Sequence, residues 1–495
     1  MRMHVRTTIS LPTILAELRL DAQSQTPLYQ QLYAAIRDLI LRGVLPAGVR
    51  LPTNRALASQ LGLARVTVAS AYAQLRDEGY LVSRQGAGTF VAEELVTKGL
   101  PAIAPFHPRF SFWGQRLLTL DPSDEEALLT TPRPEIDFGF GRSFYHIFPY
   151  DVWRRLLARY LSADDAMLSR YGSVAGFYPL RAAVAGYLER LRGVQTTAEQ
   201  VVIVSGIQQA LDILSRLLLN RGDGVLVETP GYSGAIDIFR LYGAHIQPLP
   251  VDDHGLPVER IPPATTARLA FVTPSNQFPR GGAMPLARRL ALLQWAQAQG
   301  AVILEDDYDG ELRYSGHPLT ALQGLDRDGR VVYLGAFSKV LFPALRLSYV
   351  VLPEPLLDPF LHTKRLIDRG APTLTQAAVA DFITEGHFER HLRRLRQEYG
   401  ERRAALTAAL DAHLAGRVRY SAEAAGLHVM LYLQNGLSET AVVERAARLG
   451  VRVYPGAPYH LQHPAPPSIL LGFSGLTVSE IEAGIQRLGM AVRGE

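Results

Sequence analysis

The chain has 495 residues, of which 47% are hydrophobic, and it contains no cysteine. This length fits two to four domains with a large core, and the lack of cysteine excludes disulfides and thiolate metal sites. His460 and His463 have no evident third ligand, so we predict no metal centre. We find no run of about 18 uncharged apolar residues, and charges interrupt every short apolar piece of the N-terminus. We therefore predict no membrane segment and no signal peptide, and expect a cytoplasmic protein.

The positive charge of the chain is unevenly distributed. Residues 1–92 contain ten Lys and Arg but only five Asp and Glu, although the whole chain has a net charge of only +4. This excess in the first fifth of the sequence favours a nucleic-acid partner, while a solvated basic surface would give the same count.

The first ninety residues predict three helices and a hairpin. A helix from Pro27 to Gly43 is indicated by apolar residues three and four apart, a short helix spans 55–60 with Thr53 or Asn54 as its cap, and a third spans 65–78. Strands are predicted at 80–82 and 89–91. Two short helices followed by a β-hairpin are typical of a winged helix-turn-helix. In the third helix we expect the inward-facing side chains to be Val66, Val68, Ala69, Tyr72 and Leu75.

This segment, PLYQQLYAAIRDLILRGVLPAGVRLPTNRALASQLGLARVTVASAYAQLRDEGYLVSRQGAGTFV, resembles the DNA-binding domain of the GntR family. The resemblance implies a double-stranded DNA operator as partner, with Arg65 and Thr67 at the start of the recognition helix in the major groove. A solvated surface charge remains the alternative for each arginine. The implied DNA-binding residues are Arg50, Arg55, Arg65, Thr67, Arg84 and Gly86.

Residues 93–133 differ in composition from both neighbours. They are rich in proline and lack sustained periodicity, so we predict a linker between a domain at 20–92 and a domain at 134–495. A short helix near 112–120 is expected to dock on a neighbouring element.

From residue 134 onward, apolar strands alternate with amphipathic helices, which predicts an α/β sheet. Because ligands of such sheets collect at the carboxyl ends of the strands, the polar residues that follow each strand are candidate site residues. The predicted strands are 201–204, 225–227, 269–272, 301–304 and 331–334.

Lys339 is the most informative single residue. The chain has only three lysines, Lys98, Lys339 and Lys364, and Lys339 lies between the apolar runs 331–334 and 347–352. A desolvated lysine, unlike arginine, can lose its proton and form a Schiff base. A solvated loop lysine is the alternative from this pattern alone.

The motifs YGSVAGFYPLR, SGIQQAL, VETPGY, TPSNQFPRG, EDDYDGE and FSK, in this order, resemble fold-type I, pyridoxal-phosphate-dependent aminotransferases. With the N-terminal domain, the whole chain resembles the MocR-type regulators of the GntR family. The resemblance implies a multidomain α/β protein: a winged helix-turn-helix, then a large α/β domain with a smaller C-terminal α+β lobe.

The resemblance also implies roles for site residues, with pyridoxal 5'-phosphate as cofactor. Lys339 forms the Schiff base, Asp306 pairs with the ring nitrogen, and Tyr232 stacks on the ring. Tyr308 and Asn276 hydrogen-bond the phenolic oxygen. The implied phosphate ligands are Gly206, Ile207, Ser338 and Arg346.

Three departures from the usual pattern stand out. The ring aspartate is usually three residues before the tyrosine, where this chain has Glu305; we prefer Asp306 by strand alternation, with Asp307 as runner-up. Ala336 occupies a position where a phosphate-binding hydroxyl is common. The segment 468–473 lacks the arginine that clamps a substrate carboxylate.

We therefore predict a DNA-binding transcriptional regulator that senses pyridoxal phosphate or its adduct with an amine or amino acid, without physiological turnover. The alternative is an active aminotransferase that carries an accessory DNA-binding domain. The resemblance further implies a homodimer with swapped DNA-binding heads.

Overall fold

The computed structural model describes residues 18, 20–93, 108–119, 134–141, 145–162, 169–421, 425–462 and 464–494. The chain divides into two compact units, Met1–Arg109 and Phe110–Glu495. Most of the predicted linker, including Lys98, lies outside the described residues. None of the helices formed by the described residues is long and apolar enough to cross a membrane.

The first unit contains the predicted helices and hairpin. The helices are α1 (Leu28–Leu41), α2 (Asn54–Leu61) and α3 (Arg65–Asp77), and the antiparallel hairpin is β1 (Leu81–Arg84) and β2 (Gly88–Val91). The Thr53 side chain caps α2 by accepting a hydrogen bond from the Ala56 amide at 3.2 Å, and Gly62 ends this helix with a positive φ of 65°. The winged helix-turn-helix secondary structure is therefore confirmed.

One detail of the third helix was wrong. Val66 is 70% exposed instead of facing inward, Ala69 is only half-buried, and the buried side chains of α3 are Val68, Ala71, Tyr72 and Leu75. Val68, the adjacent pair Ala71 and Tyr72, and Leu75 recur at steps of three or four residues along one face, whereas Val66 lies on the opposite, outward side of the first helical turn.

The second unit is built on a seven-stranded mixed sheet. Its strands are β4 (Val201–Val204), β5 (Gly224–Thr229), β6 (His245–Pro250), β7 (Ala267–Val272), β8 (Val302–Asp307), β9 (Val331–Ala336) and β10 (Ser348–Val351). They lie in the order β4-β10-β9-β8-β7-β5-β6, and only β10 runs antiparallel to its neighbours. The five predicted strands are confirmed, within two or three residues at their ends.

The edge strand β6 was not predicted. Its sequence, HIQPLP, has two prolines and a mostly half-exposed surface, so it lacks the apolar pattern of the central strands. Proline is tolerated there because an edge strand needs ladder hydrogen bonds on one side only.

Helices cover both faces of this sheet, and their apolar faces form two of the hydrophobic cores with it. Those in the sheet region are α5 (Tyr150–Ser162), α6 (Tyr178–Arg192), α7 (Ile207–Leu218), α8 (Ser233–Leu241), α9 (Leu286–Gln299), α10 (Glu354–Ile367) and α11 (Thr373–Thr384). A short helix, α4 (Phe112–Leu117), precedes them, and Arg116 of α4 donates to the Arg240 carbonyl at the end of α8 at 2.7 Å. The predicted docking of a short helix is thus present.

A smaller α+β lobe completes the unit. Its four-stranded sheet has the order β11 (Val418–Arg419), β12 (His428–Leu433), β15 (Ser468–Gly472) and β14 (Tyr454–Pro455). A separate parallel pair joins β3 (Ile136–Asp137) to β13 (Val451–Arg452). The helices of the lobe are α12 (His387–Leu414), α13 (Glu439–Arg448) and α14 (Val478–Arg493).

Candidate functional site

The predicted site residues follow strands whose carboxyl ends meet at one edge of the large sheet. Five strands point in the same direction: β4, β9, β8, β7 and β5. Strand β4 is included because β10, which lies between β4 and β9, is antiparallel to both. The segments after these five strands therefore converge at that edge, where open α/β sheets bind ligands.

Lys339 lies three residues after β9 and is half-buried. Its Nζ atom is 4.4 Å from the centroid of the Phe140 ring. Gly141 approaches from the same segment so closely that a Cβ atom there would lie 2.7 Å from Nζ. The lysine side chain is thus confined between the large sheet and the segment that follows β3.

The three acidic residues at the end of β8 have different environments. Glu305 accepts hydrogen bonds from the Leu322 and Gln323 amides at 2.7 and 2.8 Å, and Asp307 accepts from Arg192 Nε at 2.8 Å. Asp306 points to the opposite face, and its Oδ1 is buried without a hydrogen-bond partner among the described residues.

The pKa of Asp306 is raised to about 7, mainly by burial and next by the neighbouring Asp307 carboxylate, while the Lys339 ammonium opposes the shift. Lys339 therefore acts electrostatically on this carboxyl group, as expected for two groups that face the same space.

Tyr308 and Asn276 are in direct contact. Asn276 Nδ2 donates to the Tyr308 hydroxyl at 3.1 Å and to Asp309 Oδ2 at 2.9 Å. Burial raises the pKa of Tyr308 well above its usual value, so the phenol keeps its proton. Asp309 thus orients the Asn276 amide.

The small-residue turn after β4 starts helix α7 and lies under an arginine. A Cβ atom at Gly206 would be 2.9 Å from Arg346 Nη2, so the guanidinium group lies directly against this turn. Ile207 is the first residue of α7, and Arg346 is exposed. A helix N-terminus beside a guanidinium group is suited to bind a phosphate.

The two remaining predicted ligands lie at the same edge. Ser338 is half-buried directly before Lys339. Tyr232 is the N-cap of α8, and its hydroxyl accepts a hydrogen bond from Gln208 Nε2, in the first turn of α7, at 2.8 Å. Its ring lies edge-on to Phe278, with the centroids 6.0 Å apart.

Sequence reasoning missed an aromatic group around Lys339. The Phe140 ring centroid is 5.3 Å from that of Phe278 and 4.8 Å from that of His428, and Phe278 is 5.5 Å from Tyr308. These residues come from distant segments, so spacing gave no signal for Phe140 or Phe278. His428 is the first residue of the otherwise apolar strand β12, and this polar residue was the available signal.

These residues fit pyridoxal phosphate. The partnerless Asp306 Oδ1 matches a ring nitrogen that carries a proton, because a buried acceptor requires a donor. The turn at Gly206 under Arg346 matches a phosphate, and Lys339 offers a primary amine in the same cleft. No group of three or more acidic residues and histidines placed to hold a metal ion is found in the described part of the chain.

The basic residues of the first unit lie mostly on its surface. Arg55 and Arg65 are exposed, one in the first turn of α2 and one at the start of α3, and Thr67 is half-buried. Gly86 has a φ of 73° at the hairpin tip.

Two arginines contact the wing. The guanidinium of Arg50 lies against Gly88, where a Cβ atom would be 3.0 Å from Arg50 Nε. Arg84 pairs with Glu93 at 2.7 Å and stacks on Phe90. If Arg84 contacts DNA, it must therefore leave the Glu93 carboxylate and bind a phosphate group instead.

The fold and the site together define a protein class: a GntR-type winged helix joined to a pyridoxal-phosphate-dependent, aminotransferase-like domain. The family of bacterial regulatory proteins, gntR family, matches residues 28–91, and the family aminotransferase class I and II matches residues 136–488.

Full-length relatives share this combination. The chain is 39% identical to the probable rhizopine catabolism regulatory protein MocR of Rhizobium meliloti, over 96% of this chain and 95% of that protein. It is 37% identical to the uncharacterized HTH-type transcriptional regulator YdeL of Bacillus subtilis, over 94% and 96%. The chain belongs to the MocR-type regulators of the GntR family.

Among solved structures, the second unit is similar to Pyrococcus horikoshii kynurenine aminotransferase in complex with pyridoxamine phosphate (PMP). The TM-score is 0.72 with 30% identity, over 78% of this chain and 97% of that chain. The predicted fold-type I domain is therefore confirmed. The chain is a DNA-binding transcriptional regulator with an aminotransferase-like domain.

Proposed function

We propose that this regulator senses pyridoxal phosphate, or an amine that reacts with it, through the cleft around Lys339. The observation that carries the proposal is the position of Asp306. Its carboxyl group is buried, faces Lys339 and has an oxygen without a partner in the described part of the chain. Asp307 and Glu311 also have one oxygen without a partner there, but their other oxygen is hydrogen-bonded within the protein. Asp306 therefore remains the candidate for a ligand that completes the site.

Each side chain has a role that follows from its chemistry. Pyridoxal phosphate, when bound, supplies an aldehyde that condenses with primary amines and a ring that withdraws electrons. Lys339 holds the cofactor covalently, Asp306 keeps a proton at the ring nitrogen, and Tyr232 covers the ring.

The remaining roles concern the oxygens of the cofactor. Tyr308 and Asn276 hydrogen-bond its phenolic oxygen. Asn276 Nδ2 then directs to this oxygen the hydrogen that it donates to Tyr308 in the ligand-free protein, and keeps its second one for Asp309. The phosphate is held by Gly206, Ile207, Ser338 and Arg346.

The first unit recognises an operator in double-stranded DNA. Arg65 and Thr67 contact both phosphates and base edges from the start of α3, while Arg55 and Arg50 contact phosphates. Arg84 and Gly86 approach the DNA backbone from the wing. In this proposal the protein is a cytoplasmic homodimer with swapped heads, and ligand binding in the cleft changes how the heads meet two half-sites.

An absorbance experiment tests the cofactor site. Full-length protein reconstituted with pyridoxal phosphate should show a visible band that borohydride abolishes, and Lys339→Ala should lack it. Lys98→Ala, which removes a lysine of the predicted linker, is the matched control and should retain the band. A band of normal intensity in Lys339→Ala would exclude the proposed attachment.

A further inference from the structure

The aromatic group beside Lys339 contains one polar side chain that the cofactor roles leave unused. His428 is 6% exposed on β12, between Phe140 and Tyr308. Its ring centroid is 4.8 Å from that of Phe140, whose ring in turn contacts Lys339 Nζ. His428 and Lys339 therefore lie against the same aromatic ring.

The hydrogen bonding of His428 defines its tautomer. Nε2 is 3.0 Å from the Pro279 carbonyl oxygen, and because a carbonyl oxygen only accepts, Nε2 must carry the hydrogen. Burial lowers the pKa of His428 to about 4; the Pro279 carbonyl opposes this shift and the Lys339 charge adds to it. The ring is therefore neutral near pH 7, and Nδ1 has a lone pair and no hydrogen.

This lone pair has no protein partner within the described residues. Nδ1 of His428 is buried and forms no hydrogen bond there. An unpaired buried acceptor costs free energy, and a ligand with a suitably placed donor removes that cost. A carboxylate oxygen at the same place would face a second lone pair, so the site discriminates against it.

We propose that His428 Nδ1 accepts a hydrogen bond from the effector, which is a primary amine with a second polar hydrogen, such as a hydroxyl group, near its amino group. This inference rests on the proposed amine sensing at Lys339 and specifies the class of amine. His428 is then a specificity-determining residue of the sensor.

The test compares two amines that differ in this donor alone. 2-Aminoethanol has a hydroxyl donor, and 2-methoxyethylamine replaces its hydrogen by a methyl group. Full-length protein loaded with pyridoxal phosphate is titrated with each amine, and the change of the visible absorbance gives the apparent Kd. We expect tighter binding of 2-aminoethanol by about five- to tenfold, the usual worth of one hydrogen bond.

Three variants separate the effect of the Nδ1 acceptor from the effect of packing by the His428 ring. His428→Asn keeps an acceptor near the position of Nδ1 and should retain the preference. His428→Gln keeps a donor for the Pro279 carbonyl but no acceptor at Nδ1, and His428→Phe keeps only the ring; both should lose the preference. Urea unfolding midpoints show that each variant is folded.

The outcomes distinguish this inference from the proposed function. If borohydride and Lys339→Ala give the expected absorbance changes but the two amines bind equally, or His428→Phe keeps the preference, the role of His428 is refuted. Absence of any amine response in cofactor-loaded protein also refutes it. Failure of the Lys339→Ala test itself overturns the proposed function instead.

Discussion

Arg192 and Asp307 form an ion pair in which both side chains are almost completely buried, with exposures of 1% and 2% and an Nε to Oδ2 distance of 2.8 Å. Tyr333 donates a further hydrogen bond to the same oxygen at 2.6 Å. Arg192 also donates to the Ser275 hydroxyl at 2.6 Å. Asp307 therefore binds groups of the protein interior, while its neighbour Asp306 faces the cleft.

We predict that Asp306→Asn impairs cofactor binding, whereas Asp307→Asn impairs the stability of the fold. Asp306→Asn should fold normally but bind pyridoxal phosphate weakly, because the amide no longer stabilises a proton on the ring nitrogen. Asp307→Asn should lose about 3–5 kcal/mol of unfolding free energy, because Arg192 is left buried without its counter-charge. Urea unfolding and cofactor titration followed by absorbance measure the two effects. Equal cofactor loss with no change in stability for Asp307→Asn would contradict the assignment.

A second prediction concerns pH. Asp306 has its pKa raised from 3.8 to about 7 by burial, so the folded protein binds a proton that the unfolded chain has already lost between these values. The wild-type, cofactor-free protein should thus lose stability relative to Asp306→Asn as pH rises from about 4 to about 7, by up to about 4 kcal/mol, and the difference should then stay constant. Urea unfolding of both proteins at pH 5 to 8 checks this. A difference that does not change with pH would show that this carboxyl group is not responsible.

A third prediction concerns Lys364, which is completely buried. Its Nζ lies 2.9 Å from both Asp368 oxygens, and Asp368 also accepts from Gln209 Nε2 at 2.7 Å. Gln209 in turn accepts from the Ser205 amide at 2.9 Å, beside the Gly206 turn. Lys364→Met should lower the unfolding free energy by about 3 kcal/mol.

The same substitution should also weaken phosphate binding, because the chain of contacts to the Ser205 amide loses its charged end. Arg365→Met removes an equal charge from the exposed neighbouring position and should change neither property. Urea unfolding and the apparent Kd for pyridoxal phosphate measure both effects. If the two variants behave alike, the buried pair does not support the turn.

A fourth prediction concerns DNA. Arg65→Ala should weaken operator binding and reduce the slope of log affinity against log salt concentration by about 0.9, the value for one phosphate contact. Arg42→Ala, an exposed arginine at the C-terminal end of α1, should leave both unchanged. Fluorescence anisotropy at several salt concentrations, on DNA selected from a random library, provides the measurement. An unchanged slope for Arg65→Ala would remove Arg65 from the phosphate contacts.

The sequence alone could predict the main elements because most of them have strong local signals. The β-branched runs of the central strands and the glycine turns of the first unit fall where periodicity indicates. Strand alternation also separates Asp306 from Glu305 and Asp307, since successive side chains of a strand point to opposite faces. All of these signals depend only on residues that are close together in the sequence.

The parts that could not be predicted depend on long-range packing. Phe140 and His428 meet near Lys339 from segments almost 300 residues apart, and no local pattern connects them. The exposure of Val66 was missed because helical periodicity alone does not show which side of the first turn the other elements cover. The Arg192–Asp307 pair was missed because an arginine near a helix end is usually solvated.

Phe140 and Gly141, which confine Lys339, also have a distinctive place along the chain. They belong to residues 134–141, the first described segment after the predicted connector, and β3 of that segment is anchored to the small lobe through β13. Any ligand that enlarges the space around the lysine must push on this short segment. Because β3 of this segment pairs with β13, such a displacement also acts on the small lobe.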